Sequence, residues 1–127
     1  MKVLNGMMHG VIDYASVLIF ALGPTVSGFT GKQATICYIL AGVHLLLTLA
    51  TRFPLGVLKA VPFSTHGVIE LLVSILLVVL PWIAGFSAGV NSRNFFIFMG
   101  LIIFVVWLLT NYSGHAVAAS KEPTPTP

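Results

Sequence analysis

Residues 66–86, HGVIELLVSILLVVLPWIAGF, decide the fold because they have the character of a membrane span and repeat an earlier segment. About 57 positions upstream, residues 9–29, HGVIDYASVLIFALGPTVSGF, align with them without a gap. Both copies begin with His-Gly-Val-Ile, place an acid four residues after the histidine, contain a proline and end in Gly-Phe. A span needs about 20 mostly apolar residues. The sequence therefore predicts two equivalent membrane helices.

The composition excludes a soluble globular domain. The 127 residues are 57% hydrophobic and 7% charged, and the mean hydropathy is +1.04, whereas soluble domains carry about 25% charged residues. The acid at Asp13 and the recurrence in mid-chain favour a retained first helix over a signal peptide. The single cysteine, Cys37, allows no internal disulfide. The net charge of +3 suits anionic lipid headgroups, and we expect no nucleic-acid partner.

Four spans are predicted, at about residues 11–29, 34–51, 67–86 and 95–111. They give an all-α fold, a polytopic membrane four-helix bundle built from two tandem two-helix hairpin repeats. We divide the chain into a first repeat (1–58), a second repeat (59–115) and a disordered polar tail (116–127), whose proline-rich composition cannot form a core.

Lysine and arginine predict the orientation, because cytoplasmic loops carry an excess of both. Four spans place the termini and the central connection on one side, and the two short turns carry fewer basic residues. The basic residues on the first side are Lys2, Arg52, Lys59 and Lys121. We therefore expect a multi-pass protein of the inner cell membrane with both termini cytoplasmic. The repeats would then be parallel, related by a pseudo-twofold axis along the membrane normal.

Proline and glycine mark further features of the spans. Pro24 and Pro81 should kink or end their helices, since proline lacks the backbone donor, and Trp82 should anchor at the membrane interface. Gly42 of the second span corresponds to Gly100 of the fourth. Small residues allow close helix approach in lipid, so both glycines are predicted at helix interfaces.

The paired segments HGVIDY with GPTVSGF and HGVIEL with LPWIAGF, joined by TRFPLGVLKAVPFSTHG, resemble the SPW-repeat family of small membrane proteins. The resemblance covers about residues 7–112 and implies a two-helix hairpin for each repeat. Of the Ser-Pro-Trp signature, this chain keeps Pro24 in the first copy, and Pro81 and Trp82 in the second. The resemblance implies no reaction, substrate or cofactor.

The ionisable residues of the spans are the candidate site, since charge within a span is costly. His9 with Asp13, and His66 with Glu70, are four residues apart and share a helix face. If these faces turn inward, the four side chains form a cluster that could relay protons or bind a divalent metal. The interpretation we favour is simpler: each pair lies at the interface near its helix start, where the helix dipole favours the acid. No metal or other cofactor is therefore predicted.

His44 lies deeper, within AGVHLLLTL, and its repeat counterpart is Ile102. A haem would need a facing histidine, which the fourth span lacks. We predict a neutral residue that hydrogen-bonds across a helix interface to Ser, Thr or a backbone carbonyl. The alternative is a proton-relay step beside the two His/acid pairs.

The sequence contains no nucleotide-binding loop, zinc spacing or nucleophile motif, so we predict no catalytic residues and no enzyme. The function we favour is a structural or accessory membrane protein that binds lipid or a partner. That partner could be a second copy of the chain or another membrane protein. The alternative is a small proton-coupled or ion-conducting protein that uses the His/acid pairs.

Overall fold

The computed structural model describes residues 2–113 and has four helices: α1 (Gly6–Ser27), α2 (Lys32–Ala50), α3 (Phe63–Ile83) and α4 (Val90–Leu109). Each is long and apolar enough to cross a membrane, so the predicted all-α, four-span architecture is confirmed. The predicted disordered tail lies outside the described residues. Helix α1 begins about five residues earlier than predicted, because the Asn5 side chain caps it by accepting a hydrogen bond from Met8 N at 2.9 Å.

Helices α1 and α3 end in the same way. Pro24 and Pro81 lie near the carboxyl ends of their helices, and their carbonyl oxygens accept hydrogen bonds from Gly28 N and Phe86 N at 2.9 and 2.8 Å. Gly28 and its counterpart Gly85 have positive φ values of 75° and 78°, a conformation that glycine adopts without strain. Helices α1 and α3 therefore end within a few residues of their prolines, as predicted.

Backbone packing is closest within each hairpin, α1 against α2 and α3 against α4, with a smaller contact between α1 and α4. Gly100 lies where α4 meets α3, since a Cβ there would stand 2.8 Å from Ser74 O. The prediction for Gly42 was wrong, because a Cβ there meets nothing within 4 Å. Its neighbour Ala41 is buried instead, and one residue along a helix turns the side chain by about 100°.

The two hairpins close on each other through equivalent backbone hydrogen bonds. Leu4 N, just before α1, bonds to Leu109 O at the end of α4 at 3.0 Å, and Val61 N, just before α3, bonds to Ala50 O at the end of α2 at 2.8 Å. Both ends of the described chain therefore lie on the same side as the central connection. We call this side the terminal face, formed by residues 2–5, 51–62 and 110–113.

The interior between the terminal face and the opposite turns is mainly apolar. Four large side chains fill its centre at 0–1% exposure: Phe20, Leu77, Phe96 and Met99. Apolar side chains also cover the exterior, as lipid contact requires; among the exposed ones are Leu18, Leu22, Val26, Leu46, Leu72 and Ile83. The buried serines of this interior, Ser74 and Ser92, donate to nearby backbone carbonyls at 2.7 and 3.1 Å.

Candidate functional site

The two His/acid pairs meet inside the bundle, close to the terminal face. His9 Nε2 lies 3.2 Å from Asp13 Oδ1 and 3.2 Å from Glu70 Oε2. His66 Nε2 lies 3.1 Å from Asp13 Oδ2 and 3.2 Å from Glu70 Oε1. All four residues are between 0% and 3% exposed. Each histidine thus contacts its own acid and the acid of the other repeat, and we call these four residues the His–carboxylate cluster.

The helix starts explain the position of the cluster. His9 is the fourth residue of α1 and His66 the fourth of α3, so both lie about 5 Å inside their helix ends at 1.5 Å per residue. The glycine after each histidine leaves room for an aromatic ring. A Cβ on Gly10 would stand 2.6 Å from Phe53 Cε2, and one on Gly67 would stand 2.9 Å from the Tyr112 ring.

Two threonines hold the histidine rings from the opposite hairpins. Thr110 Oγ1 lies 2.9 Å from His9 Nδ1, and Thr51 Oγ1 lies 2.7 Å from His66 Nδ1. Each hydroxyl also donates to the carbonyl four residues earlier in its own helix, at 2.6 Å. A hydroxyl has one hydrogen, so the imidazole must supply the hydrogen of the Nδ1 bond. Both rings therefore carry a hydrogen on Nδ1 and turn Nε2 toward the carboxylates.

The Nε2 atoms are the unusual feature of the cluster. They lie 3.1–3.2 Å from carboxylate oxygens, yet among the described residues neither makes a hydrogen bond of acceptable geometry. Asp13 Oδ2 is likewise buried without such a partner. Buried polar atoms in proteins are nearly always hydrogen-bonded. Three buried polar atoms without a partner, in residues whose donor atoms lie within 4.8 Å of one another, are typical of a ligand-binding site.

His44 adds a third imidazole at the edge of the cluster. Its Nε2 lies 3.7 Å from Asp13 Oδ1, and its ring centroid is 6.5 Å from those of His66 and Phe20. Within residues 2–113 this Nε2 makes no hydrogen bond, so the predicted bond to Ser, Thr or a carbonyl is not made by this nitrogen. Thr48 Oγ1 donates instead to the His44 backbone oxygen at 2.7 Å.

Three aromatic rings cover the cluster on its terminal side, and we call Phe53, Phe63 and Tyr112 the aromatic cap. Phe63 stacks on Phe53 with centroids 5.5 Å apart and meets Tyr112 edge-on at 4.8 Å. The Tyr112 hydroxyl donates to Glu70 Oε2 at 2.9 Å. Burial, and then the neighbouring Glu70 carboxylate, raise the pKa of Tyr112, so this hydroxyl stays a donor.

The partner residues of the cluster were not predicted, although the duplication carries a signal for them. The second helix of each repeat ends in a similar pentapeptide, LATRF at residues 49–53 and LLTNY at residues 108–112. The matching threonines are Thr51 and Thr110, and the matching aromatic residues are Phe53 and Tyr112. Aligning the helix ends separately from the helix centres would have identified both pairs.

The repeat-signature residues lie away from the cluster. Pro24 and Pro81 are near the turns at the opposite end of the bundle, and Trp82 is 58% exposed on the outside. They shape the helix ends and the lipid-facing surface, and take no part in the polar site.

No protein-family profile, curated protein or solved structure matches this chain. The likeness to SPW-repeat proteins therefore stays a prediction from the sequence motifs.

Proposed function

We propose that this chain is an integral membrane protein that binds a cation in the His–carboxylate cluster, takes it up from the terminal face and performs no catalysis. One observation carries the proposal: each of the two Nε2 atoms faces two carboxylate oxygens at 3.1–3.2 Å. With Nδ1 already protonated, an empty Nε2 would turn its lone pair toward anionic oxygens. Only protons or a metal ion between these atoms make the contacts attractive.

Charge balance supports the same conclusion. Asp13 and Glu70 are 1% and 3% exposed, and a buried charge left without a partner costs about 3–5 kcal/mol. Among the described residues, no lysine or arginine forms an ion pair with either acid. Two positive charges inside the cluster, supplied either by two protons or by one divalent ion, would neutralise both acids.

The surroundings support a site that opens on one side only. Toward the turns, Phe20, Leu77, Phe96 and Met99 fill the centre of the bundle. The hydroxyls of the buried Ser74 and Ser92 donate to backbone carbonyls close by in the chain. Toward the terminal face, the aromatic cap lies against the cluster, with the rings of Phe63 and Tyr112 5.2 and 5.4 Å from that of His9. This arrangement favours a binding protein over the alternative of an ion conductor, because a conducting path needs polar groups or water on both sides of the site.

The nitrogen-15 NMR spectrum of the imidazoles tests the proposal. In protein labelled on histidine and purified in detergent, His9→Gln and His66→Gln variants assign the two signals. We expect both Nε2 atoms to be protonated or metal-bound at neutral pH, with Nδ1 protonated. Bare Nε2 nitrogens in both rings, unchanged by a chelator, would overturn the proposal.

Proton flux in proteoliposomes tests the one-sided character of the site. We expect the wild type and Asp13→Asn to leak protons equally under an imposed potential, because the apolar interior blocks the path. A wild-type leak that Asp13→Asn abolishes would replace binding with conduction.

The lysine and arginine distribution supports a cytoplasmic terminal face, so we propose that the cation comes from the cytoplasm. The lipid-exposed exterior of the helices is the surface for contact with membrane lipid or a second membrane protein.

A further inference from the structure

We infer that the cation is a divalent transition metal ion, bound by His9 Nε2, His66 Nε2 and one oxygen each of Asp13 and Glu70. The inference rests on the proposed function and names the ligand of the same cluster. In its metal-free form, the cluster would hold two protons in place of the ion.

The spacing of the ligand atoms fits such an ion. One donor atom from each of the four residues lies within 4.8 Å of the other three, and the nitrogen–oxygen contacts measure 3.1–3.2 Å. Tetrahedral zinc with bonds of about 2.0–2.2 Å separates its ligand atoms by roughly 3.3–3.5 Å. The short contacts need to open by a few tenths of an ångström, and a separation of 4.8 Å must close by roughly 1.3–1.5 Å through small side-chain rotations.

The donor types and their charges select the class of metal. Imidazole nitrogens suit zinc, cobalt, copper, iron and nickel, whereas calcium and magnesium prefer oxygen ligands. Two neutral imidazoles and two carboxylates carry two negative charges, so a divalent ion makes the buried site neutral. A monovalent ion would leave one negative charge in an interior that offers no lysine or arginine ion pair within residues 2–113.

The threonine contacts prepare both imidazoles for metal binding. Histidine ligands in metal sites usually donate their other ring N–H to an oxygen, which fixes the tautomer and the ring orientation. Thr110 and Thr51 accept these bonds from His9 and His66 at 2.9 and 2.7 Å. Each threonine is itself fixed by its bond to a helix carbonyl at 2.6 Å. A pair of histidines held only to neutralise acids would not need the same support on both rings.

The unsatisfied atoms give an independent reason. His9 Nε2, His66 Nε2 and Asp13 Oδ2 are buried and lack a hydrogen bond of good geometry within the described chain. If the cluster existed only to share protons, linear Nε2–H···O bonds would be the most stable arrangement. A central ion satisfies all of these atoms without requiring any nitrogen to point at an oxygen.

Metal titration of the full-length protein tests the inference. The protein is purified in detergent through a tag without histidine, stripped with a chelator, and titrated with Zn²⁺ or Co²⁺. We expect one ion per chain, a tetrahedral cobalt absorption spectrum, release of protons on binding, and no competition from Ca²⁺. Affinity should fall as the pH is lowered, since protons compete for the same nitrogens.

Variants of the cluster provide the controls. His66→Gln and Glu70→Gln should each lose more than the roughly 10–100-fold in affinity that removal of an outer-shell partner costs. His44→Gln is the comparison variant, because it removes a third imidazole, 9% exposed, that is not one of the four ligands. It should cost no more than an outer-shell neighbour does, about tenfold in affinity, and should still bind one ion. Circular dichroism confirms that each variant is folded.

The outcomes separate this inference from the proposed function. Binding that is absent, or equal in the wild type and in folded His66→Gln, overturns the metal assignment. If the NMR experiment then finds protonated Nε2 atoms, the cluster is a proton site and the proposed function stands. If it finds bare Nε2 atoms, both fail.

Discussion

Replacing Thr51 by valine should separate a threonine that positions a histidine from one that bonds only to a carbonyl of its own helix. Thr51 Oγ1 donates to Leu47 O and accepts the hydrogen of His66 Nδ1. One turn earlier, the equally buried Thr48 donates to His44 O, and its hydroxyl contacts no imidazole nitrogen within residues 2–113. Thr51→Val and Thr48→Val therefore remove the same group from the same helix, but only the first leaves an imidazole N–H unsatisfied.

The expected difference follows from the hydrogen bonds that each substitution removes. Each variant loses a bond worth about 0.5–1.5 kcal/mol, and Thr51→Val also leaves a buried donor unpaired, which costs about 1–3 kcal/mol. We therefore expect Thr51→Val to lower the free energy of unfolding by about 1–3 kcal/mol more than Thr48→Val. In a metal site, removing this hydrogen bond to the imidazole would weaken metal binding by about 10–100-fold, which corresponds to about 1.4–2.8 kcal/mol.

Reversible unfolding in mixed micelles, followed by circular dichroism in the presence of a chelator, measures the difference. Thr110→Val should behave like Thr51→Val, because it supports His9 in the same way, and Thr51→Ser should recover most of the stability. Costs for Thr51→Val and Thr48→Val that agree within about 0.5 kcal/mol would refute the positioning role.

Three further outcomes test the packing, the cap and the topology. Gly100→Leu should destabilise the bundle by at least about 1–3 kcal/mol, because its Cβ would stand 2.8 Å from an α3 carbonyl oxygen. Gly42→Leu should be neutral, and equal shifts of the two variants in thermal unfolding would contradict the placement of Gly100 at the α3–α4 interface. Tyr112→Phe should lower the free energy of unfolding by about 1–2 kcal/mol, because it removes the hydrogen bond that this half-buried residue donates to Glu70. An unchanged midpoint of denaturant unfolding would contradict that bond. Cysteines placed at Lys2 and Ser113, in a background without the native cysteine, should react with an impermeant reagent from the same side of the membrane. Labelling from opposite sides would exclude the backbone contact between Leu4 and Leu109 that brings the two ends of the described chain together.

The helices were predictable because the signals for them are local. Hydrophobic length, the prolines near helix ends and the duplication each depend on neighbouring residues, and together they predict four spans. The spacing of His9 to Asp13 and of His66 to Glu70 similarly places each pair on one helix face. These predictions need no knowledge of how one helix lies against another.

The interhelical contacts were harder to predict, since helix rotation decides them. The alignment pairs Gly42 with Gly100, but the ends of α2 and α4 align with an offset one residue larger than their centres do. Gly42 therefore turns outward, while Gly100 packs against α3. His44 has no repeat counterpart that would indicate its contact with Asp13. Its approach to 3.7 Å depends on how α1 and α2 are rotated against each other.

The sequence by itself determined a duplicated, four-span membrane protein with two His/acid pairs, because apolar length and helical spacing are properties of short segments. Tertiary structure alone decided that the pairs form one cluster, that Thr110 reaches His9 across 101 positions, and that aromatic rings cover the site. The physical reason is that those contacts depend on the rotation and closure of whole hairpins, which many weak packing interactions set together and no single segment encodes.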